Sequence, residues 1–221
     1  MKRLVAVVAL AVVATACGST DAATQPDGNA PLATTTTSTT VPPTTTTTTP
    51  ALIEIADEVT ITGDSLPQFG DNPDPAVGLV APTVSGVSFD GSPVTIEPSD
   101  KFTVVISLAH WCPYCQEEVD ELGPYLTATP LPDNVEVLLV STFVDETRPN
   151  YPPSEWLTPE AWPTTVLIDT VDSTVADAYG FRSVPFWTIL DPNGVVLART
   201  AGSLPLEIVE GLFANLAGLS P

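Results

Sequence analysis

From Phe102 to Leu108 the chain is apolar and rich in β-branched residues, without polar alternation. That pattern predicts a central strand buried on both faces. Before it, Val84 to Phe89 and Val94 to Ile96, broken by Asp90-Gly91, predict a hairpin. After it, apolar spacing turns helical and predicts a helix over Pro113 to Thr127, with Val119 and Leu122 on its inner face. Val135 to Thr142 reads as a second central strand. The proline-rich run from Phe143 to Pro163 predicts irregular chain with one helical turn around Ser154 to Leu157. Thr165 to Asp169 reads as a short strand or extended segment, and Thr174 to Tyr179 as a short helix ended by Gly180. Phe186 to Leu190 and Val195 to Thr200 predict a hairpin around Asp191-Pro192-Asn193-Gly194. Leu206 to Leu216 predicts a closing helix with Ile208, Val209, Leu212, Phe213 and Leu216 on one face. Strands alternating with helices make this an α/β domain.

The segments before residue 78 follow other rules. Lys2 and Arg3 precede a short apolar core, Leu4 to Val13, so residues 1–16 read as a signal peptide. That core is too short for a membrane-spanning helix. Ala14-Thr15-Ala16-Cys17 resembles a lipoprotein cleavage box, which implies lipidation of Cys17 and export to the outer face of a bacterial membrane. Residues 17–50 read as a disordered tether: twelve of the sixteen residues from Thr34 to Thr49 are threonine, with no apolar periodicity. Residues 51–77 form a lead-in with one short strand expected at Glu58 to Thr62, and 78–221 form the folded domain. Without the signal peptide, four basic residues (Lys101, Arg148, Arg182, Arg199) face 27 acids. This charge argues against nucleic acid and against an electrostatic grip on anionic lipid, leaving the N-terminal lipid as the membrane contact.

With Cys17 set aside, the remaining cysteines are Cys112 and Cys115, three apart at the junction of strand and helix. The helix start offers unpaired N–H groups and the positive dipole end, both of which favour a thiolate. Cys112 is expected to cap the helix as an exposed nucleophile, with Cys115 one turn inside as the resolving thiol. Pro113 suits the first helical position. A zinc site would need further ligands, and only His110 offers another nitrogen or sulfur donor. No metal or organic cofactor is expected.

Trp111-Cys112-Pro113-Tyr114-Cys115 after an apolar strand resembles the active site of the thioredoxin superfamily. Ala81-Pro82-Thr83 with Phe89 to Ile96 is similar to the entry hairpin of extracytoplasmic TlpA-type thioredoxins and of peroxiredoxins. Val175 to Pro185 resembles the segment ending in their cis-proline, and Ile189 to Val196 the hairpin that follows. The resemblance spans roughly residues 78–217. It implies a thioredoxin-like fold: a central mixed sheet flanked by helices, with an added N-terminal β-hairpin.

The implied function is thiol–disulfide oxidoreduction, in either direction, with protein partners outside the cytoplasm and a membrane electron carrier. A monomer is expected, and cytochrome c maturation is one setting of the branch it resembles. Cys112 and Cys115 would form the redox disulfide. Glu118 lies at the edge of the helix face that carries Cys115, and a half-buried carboxylate there could exchange a proton with that thiol. TlpA-type proteins similarly place a glutamate three past the second cysteine, whereas thioredoxin's own buried acid is replaced by Ile106. Trp111, Val184 and Pro185 would contact substrate, with Val184-Pro185 as the cis peptide. Of Phe186 and Trp187, one is expected in the core and the other in the groove. His110, Pro113 and Tyr114 would tune the potential: Pro113-Tyr114 matches the glutaredoxin dipeptide, and His110 is either a charged neighbour of Cys112 or a solvated loop residue. Two other readings stay open, a binding or chaperone module with a vestigial disulfide and a peroxiredoxin-like peroxidase. The second is opposed by Ala109, where peroxiredoxins carry threonine.

Overall fold

The computed structural model describes residues 51–70, 72–158 and 161–220. Residues 1–50, with Cys17 and the segments read from sequence as signal peptide and tether, lie outside the described residues. Strand β1 (Thr60–Thr62), β2 (Thr83–Val87) and β3 (Pro93–Ile96) form a small antiparallel sheet in that order. The expected hairpin is therefore present, and the lead-in adds a third strand to it.

The main sheet contains β4 (Phe102–Leu108), β5 (Val135–Ser141), β6 (Thr165–Ile168), β7 (Phe186–Leu190) and β8 (Val196–Ala201), in the order β6-β5-β4-β7-β8. All of β4 is buried, as its unbroken apolar pattern requires. It pairs with β5 in parallel and with β7 antiparallel. The register sets Leu108 opposite Ser141 and Ser107 opposite Phe186. The ends of β4 and β5 and the start of β7 thus meet at one edge of the sheet.

Among the described residues four helices accompany the sheets: α1 (Pro113–Ala128), α2 (Pro153–Trp156), α3 (Thr174–Ala178) and α4 (Leu206–Ala217). Helix α1 buries Cys115, Glu118, Val119, Leu122 and Leu126, a stripe at helical spacing. Gly123 in this stripe has a steric purpose: a Cβ there would sit 2.0 Å from the Ala161 carbonyl oxygen. Helix α4 buries Val209, Phe213 and Leu216, but Ile208, expected on the inner face, is 53% exposed. The packing stripe runs i, i+4, i+7 from Val209, which turns Ile208 outward. Tyr125 of α1 stacks on Phe213 of α4.

Residues 51–77 are tied to the domain by backbone bonds from Ile53 to Phe89, Ala56 to Asp169, Leu66 to Ala178 and Phe69 to Gly180. Arg199 of β8 completes the attachment. Its buried guanidinium donates to both Asp74 carboxylate oxygens (2.9 and 2.6 Å) and to the carbonyls of Pro67 (3.0 Å) and Tyr179 (2.7 Å). The Arg199 bonds hold the Asp74 carboxyl below its usual range. Gly180, at φ +68°, lets this segment approach: a Cβ there would meet the Pro67 oxygen at 2.3 Å.

Candidate active site

Chain geometry builds the site at the edge where β4, β5 and β7 converge. After Leu108, residues 109–111 turn, and the Cys112 N–H donates to the Ala109 carbonyl at 3.0 Å. Cys112 is the N-cap of α1, with extended backbone (φ −81°, ψ 119°), and its carbonyl accepts the Gln116 N–H at 3.1 Å. Pro113 takes the first helical position, where its missing N–H leaves no bond unmade.

Cys112 is less open than expected. Only 6% of the residue is exposed, and its sulfur lies 3.5 Å from the Val184 carbonyl oxygen. The Val184–Pro185 peptide is cis. Cys115 is fully buried one helical turn in, and its sulfur accepts the Ala109 N–H at 3.5 Å. Both cysteines are thiols. Burial pushes the Cys115 thiol far above its ordinary range, and Cys112 and Glu118 add to the rise.

Glu118 lies on the same helix, 3% exposed. Burial raises its carboxyl from 4.5 to about 7; the nearby Ser203 hydroxyl and the Leu204 N–H, 3.3 Å from Oε2, oppose the rise. Glu118 also lines a shallow depression with Glu117, Glu121, Ser203, Leu204 and Pro205. A group titrating near neutrality therefore sits between a buried thiol and the surface, a position suited to proton transfer. Ile106, at the site of thioredoxin's own acid, is fully buried and paired in register with Trp187.

His110 is neither a solvated loop residue nor a free ring beside the nucleophile. It is fully buried, its Nδ1 donates to the Pro149 carbonyl at 2.7 Å, and its Nε2 accepts the Asp145 N–H at 3.2 Å. This assigns the Nδ1–H tautomer and commits both nitrogens to the loop after β5. The His110 carbonyl accepts from Gln116 Nε2 (3.1 Å) and Asn150 Nδ2 (3.2 Å). Trp111 follows the same plan: its Nε1 donates to the Phe143 carbonyl at 2.7 Å, and Arg148 lies 4.0 Å above its ring. Tyr114, 64% exposed, projects at the rim.

Phe186 and Trp187 were expected to divide between core and groove. Both are buried, because neighbouring residues of a central strand face opposite, covered sides of the sheet. Phe186 stacks on Phe181 at 4.6 Å and meets Phe69 edge-on at 5.2 Å.

A profile of the AhpC/TSA family matches residues 77–199. The chain belongs to the AhpC/TSA family. Its fold is that of the thioredoxin superfamily, as solved structures show. The chain is similar to StoA from Bacillus subtilis, at 17% identity and TM-score 0.50, with 62% of this chain and 98% of that one covered. It is similar to the thioredoxin domain of a thiol–disulfide oxidoreductase from Bacteroides vulgatus, at 21% identity and TM-score 0.50, covering 62% and 98%. It is also similar to a candidate thiol:disulfide interchange protein DsbE from Chlorobium tepidum, at 20% identity and TM-score 0.51, covering 64% and 98%. No curated protein matches the chain.

Within this family the loop of residues 143–150 is the part that sequence reasoning missed. Two signals were present: Asp145-x-Thr147, an Asx-turn pattern, and Arg148, a rare cation in an acidic chain. The Asp145 carboxylate accepts from the Thr147 N–H and hydroxyl at 2.9 and 2.7 Å.

Proposed function

We propose that this protein is an extracytoplasmic thiol–disulfide oxidoreductase that exchanges disulfides with partner proteins through Cys112 and Cys115. The observation carrying this reading is the pair itself: Cys112 caps α1 beside the Val184 carbonyl, and Cys115 is buried one turn behind it. The Cys112 thiolate attacks one sulfur of a partner disulfide. A new S–S bond forms as the partner's own bond breaks, and the second partner sulfur leaves as a thiolate that takes up a proton.

Cys115 then loses its proton and attacks the Cys112 sulfur. The mixed disulfide breaks, the Cys112–Cys115 disulfide forms, and two electrons have passed to the partner. Burial makes the Cys115 proton hard to lose. Glu118, with its carboxyl near 7, accepts that proton in this direction and returns it in the reverse one. Trp111, Val184 and Pro185 form the contact surface for the partner, and Pro113 and Tyr114 tune the potential through the helix start. Residues 1–50 export the chain and tether it through Cys17, and a membrane electron carrier restores the working redox state. Among the described residues no helix is long and apolar enough to cross a membrane.

A peroxidase is the reading to set beside this one, given the family. The Ala109 side chain is a buried methyl, and its N–H is spent on Cys115. Neither can hold a peroxide oxygen. The test compares insulin reduction with peroxide consumption for the wild type and Cys112→Ser. We expect insulin reduction that the substitution abolishes, and negligible peroxide turnover. Equal insulin reduction by Cys112→Ser would overturn the proposal.

A further inference from the structure

The four basic residues in 51–220 are not equivalent. Arg199 is buried on Asp74, and Arg182 is paired with Asp177. Lys101 precedes β4, at the end of that strand away from Cys112. Arg148 remains. It is exposed, lies 4.0 Å over the Trp111 ring, and has no carboxylate within ion-pair distance among the described residues. The acids of its own loop have other hydrogen-bond partners: Asp145, which feels the Arg148 charge from beyond ion-pair distance, accepts from Thr147, and Glu146 accepts from the Tyr151 hydroxyl at 3.4 Å.

The loop that carries Arg148 is held on both sides. His110 binds Pro149 and Asp145, Trp111 binds Phe143, and Asn150 binds the His110 carbonyl. Phe143 and Asn150 adopt positive φ (51° and 59°), which bends the loop back over residues 110–111. A fully buried histidine with both nitrogens committed is thus spent on fixing this loop next to the nucleophile. A guanidinium on an indole face keeps its in-plane N–H groups free for a carboxylate.

We infer that Arg148 determines partner specificity, selecting polypeptides that carry an aspartate or glutamate beside the reacting cysteine. The inference rests on the exchange reaction proposed above. His110 acts as a positioning residue for this cation. In an otherwise strongly acidic chain, an acidic partner segment is repelled at long range and accepted at this point. The selection is therefore local.

The test uses the reduced protein and three peptides, each with a single cysteine as a mixed disulfide with neutral 2-thiopyridine. The flanking residues are glutamate, lysine or serine. Attack by Cys112 releases thiopyridone, Cys115 then releases the peptide thiol, and the chain disulfide forms, so each turnover is read by absorbance. At physiological salt, where the Debye length is about 8 Å, the distant acids are screened. The quantity read is the glutamate-to-lysine rate ratio. Arg148→Gln should lower it about threefold, the size of one exposed ion pair. Arg148→Glu should lower it about tenfold. Lys101→Gln, which removes the same charge far from the site, should leave the ratio unchanged. Equal ratios in the wild type and both Arg148 variants, or an equal shift in Lys101→Gln, overturn the inference. Release of thiopyridone from none of the peptides instead refutes the exchange reaction on which it rests.

Discussion

Replacing Glu118 with glutamine removes a carboxyl whose burial raises its pKa from 4.5 to about 7. The folded protein holds that proton more tightly than the unfolded chain does, so the stability it contributes is present below the unfolded value and is lost as pH rises through about 7. Across that window the shift corresponds to about 3 kcal/mol, at about 1.4 kcal/mol per pKa unit. Glutamine keeps the shape and an acceptor for the Leu204 N–H but cannot ionise. The reduced Glu118→Gln protein should therefore be more stable than the wild type at pH 8 by about 2–3 kcal/mol more than any difference at pH 5. Urea denaturation of both proteins across this range checks it, and taking the difference cancels the carboxylates common to both. The same substitution should slow resolution by Cys115 about 100-fold near neutral pH and remove the kinetic titration near 7. A stability difference that does not change between pH 5 and 8 would refute the assignment of the titrating group. An unchanged resolution profile would refute its role in proton transfer.

Two further expectations concern the scaffold. Gly123→Ala drives a methyl to within 2.0 Å of the Ala161 oxygen, so α1 and the 161–163 segment must separate. A loss of about 1–3 kcal/mol is expected in urea denaturation. Arg199→Ala leaves Asp74 without its bidentate partner and frees two carbonyls, and should cost about 3 kcal/mol, with faster amide exchange confined first to residues 66–69. Because Arg199 lowers the Asp74 carboxyl, this contribution is present above the unfolded aspartate value and is lost as pH falls through the folded one. Acid titration of stability should therefore be shallower in the variant.

The central elements were legible because one local rule governed each of them. An unbroken apolar run can be satisfied only by a strand covered on both faces, and β4 is that strand. Two cysteines at helical spacing after it, with proline between, place one sulfur at the cap and the other beneath it. The edge position of Glu118 on that helix followed from 100° steps, but its depth did not: expected half-buried, it is 3% exposed, although it lines a surface depression. Where two local rules competed, the sequence was ambiguous. Ile208 and Val209 are equally apolar, and only the direction of approach of α4 decided which was buried.

Contacts across long separations belong to the tertiary structure alone. His110 is one imidazole in a polar turn until Asp145 and Pro149, about 35 to 39 residues on, take both its nitrogens. The residue before the tryptophan thereby became a buried clamp. The same crossing placed Arg148 over Trp111 and made an isolated cation part of the site's rim. The anchoring of residues 51–77 likewise depends on Arg199 and Asp74, 125 positions apart. Local propensity and periodicity determine which face of an element is apolar. Which distant polar group meets a given donor or acceptor depends on how the elements close on one another, and that information exists only once they have folded together.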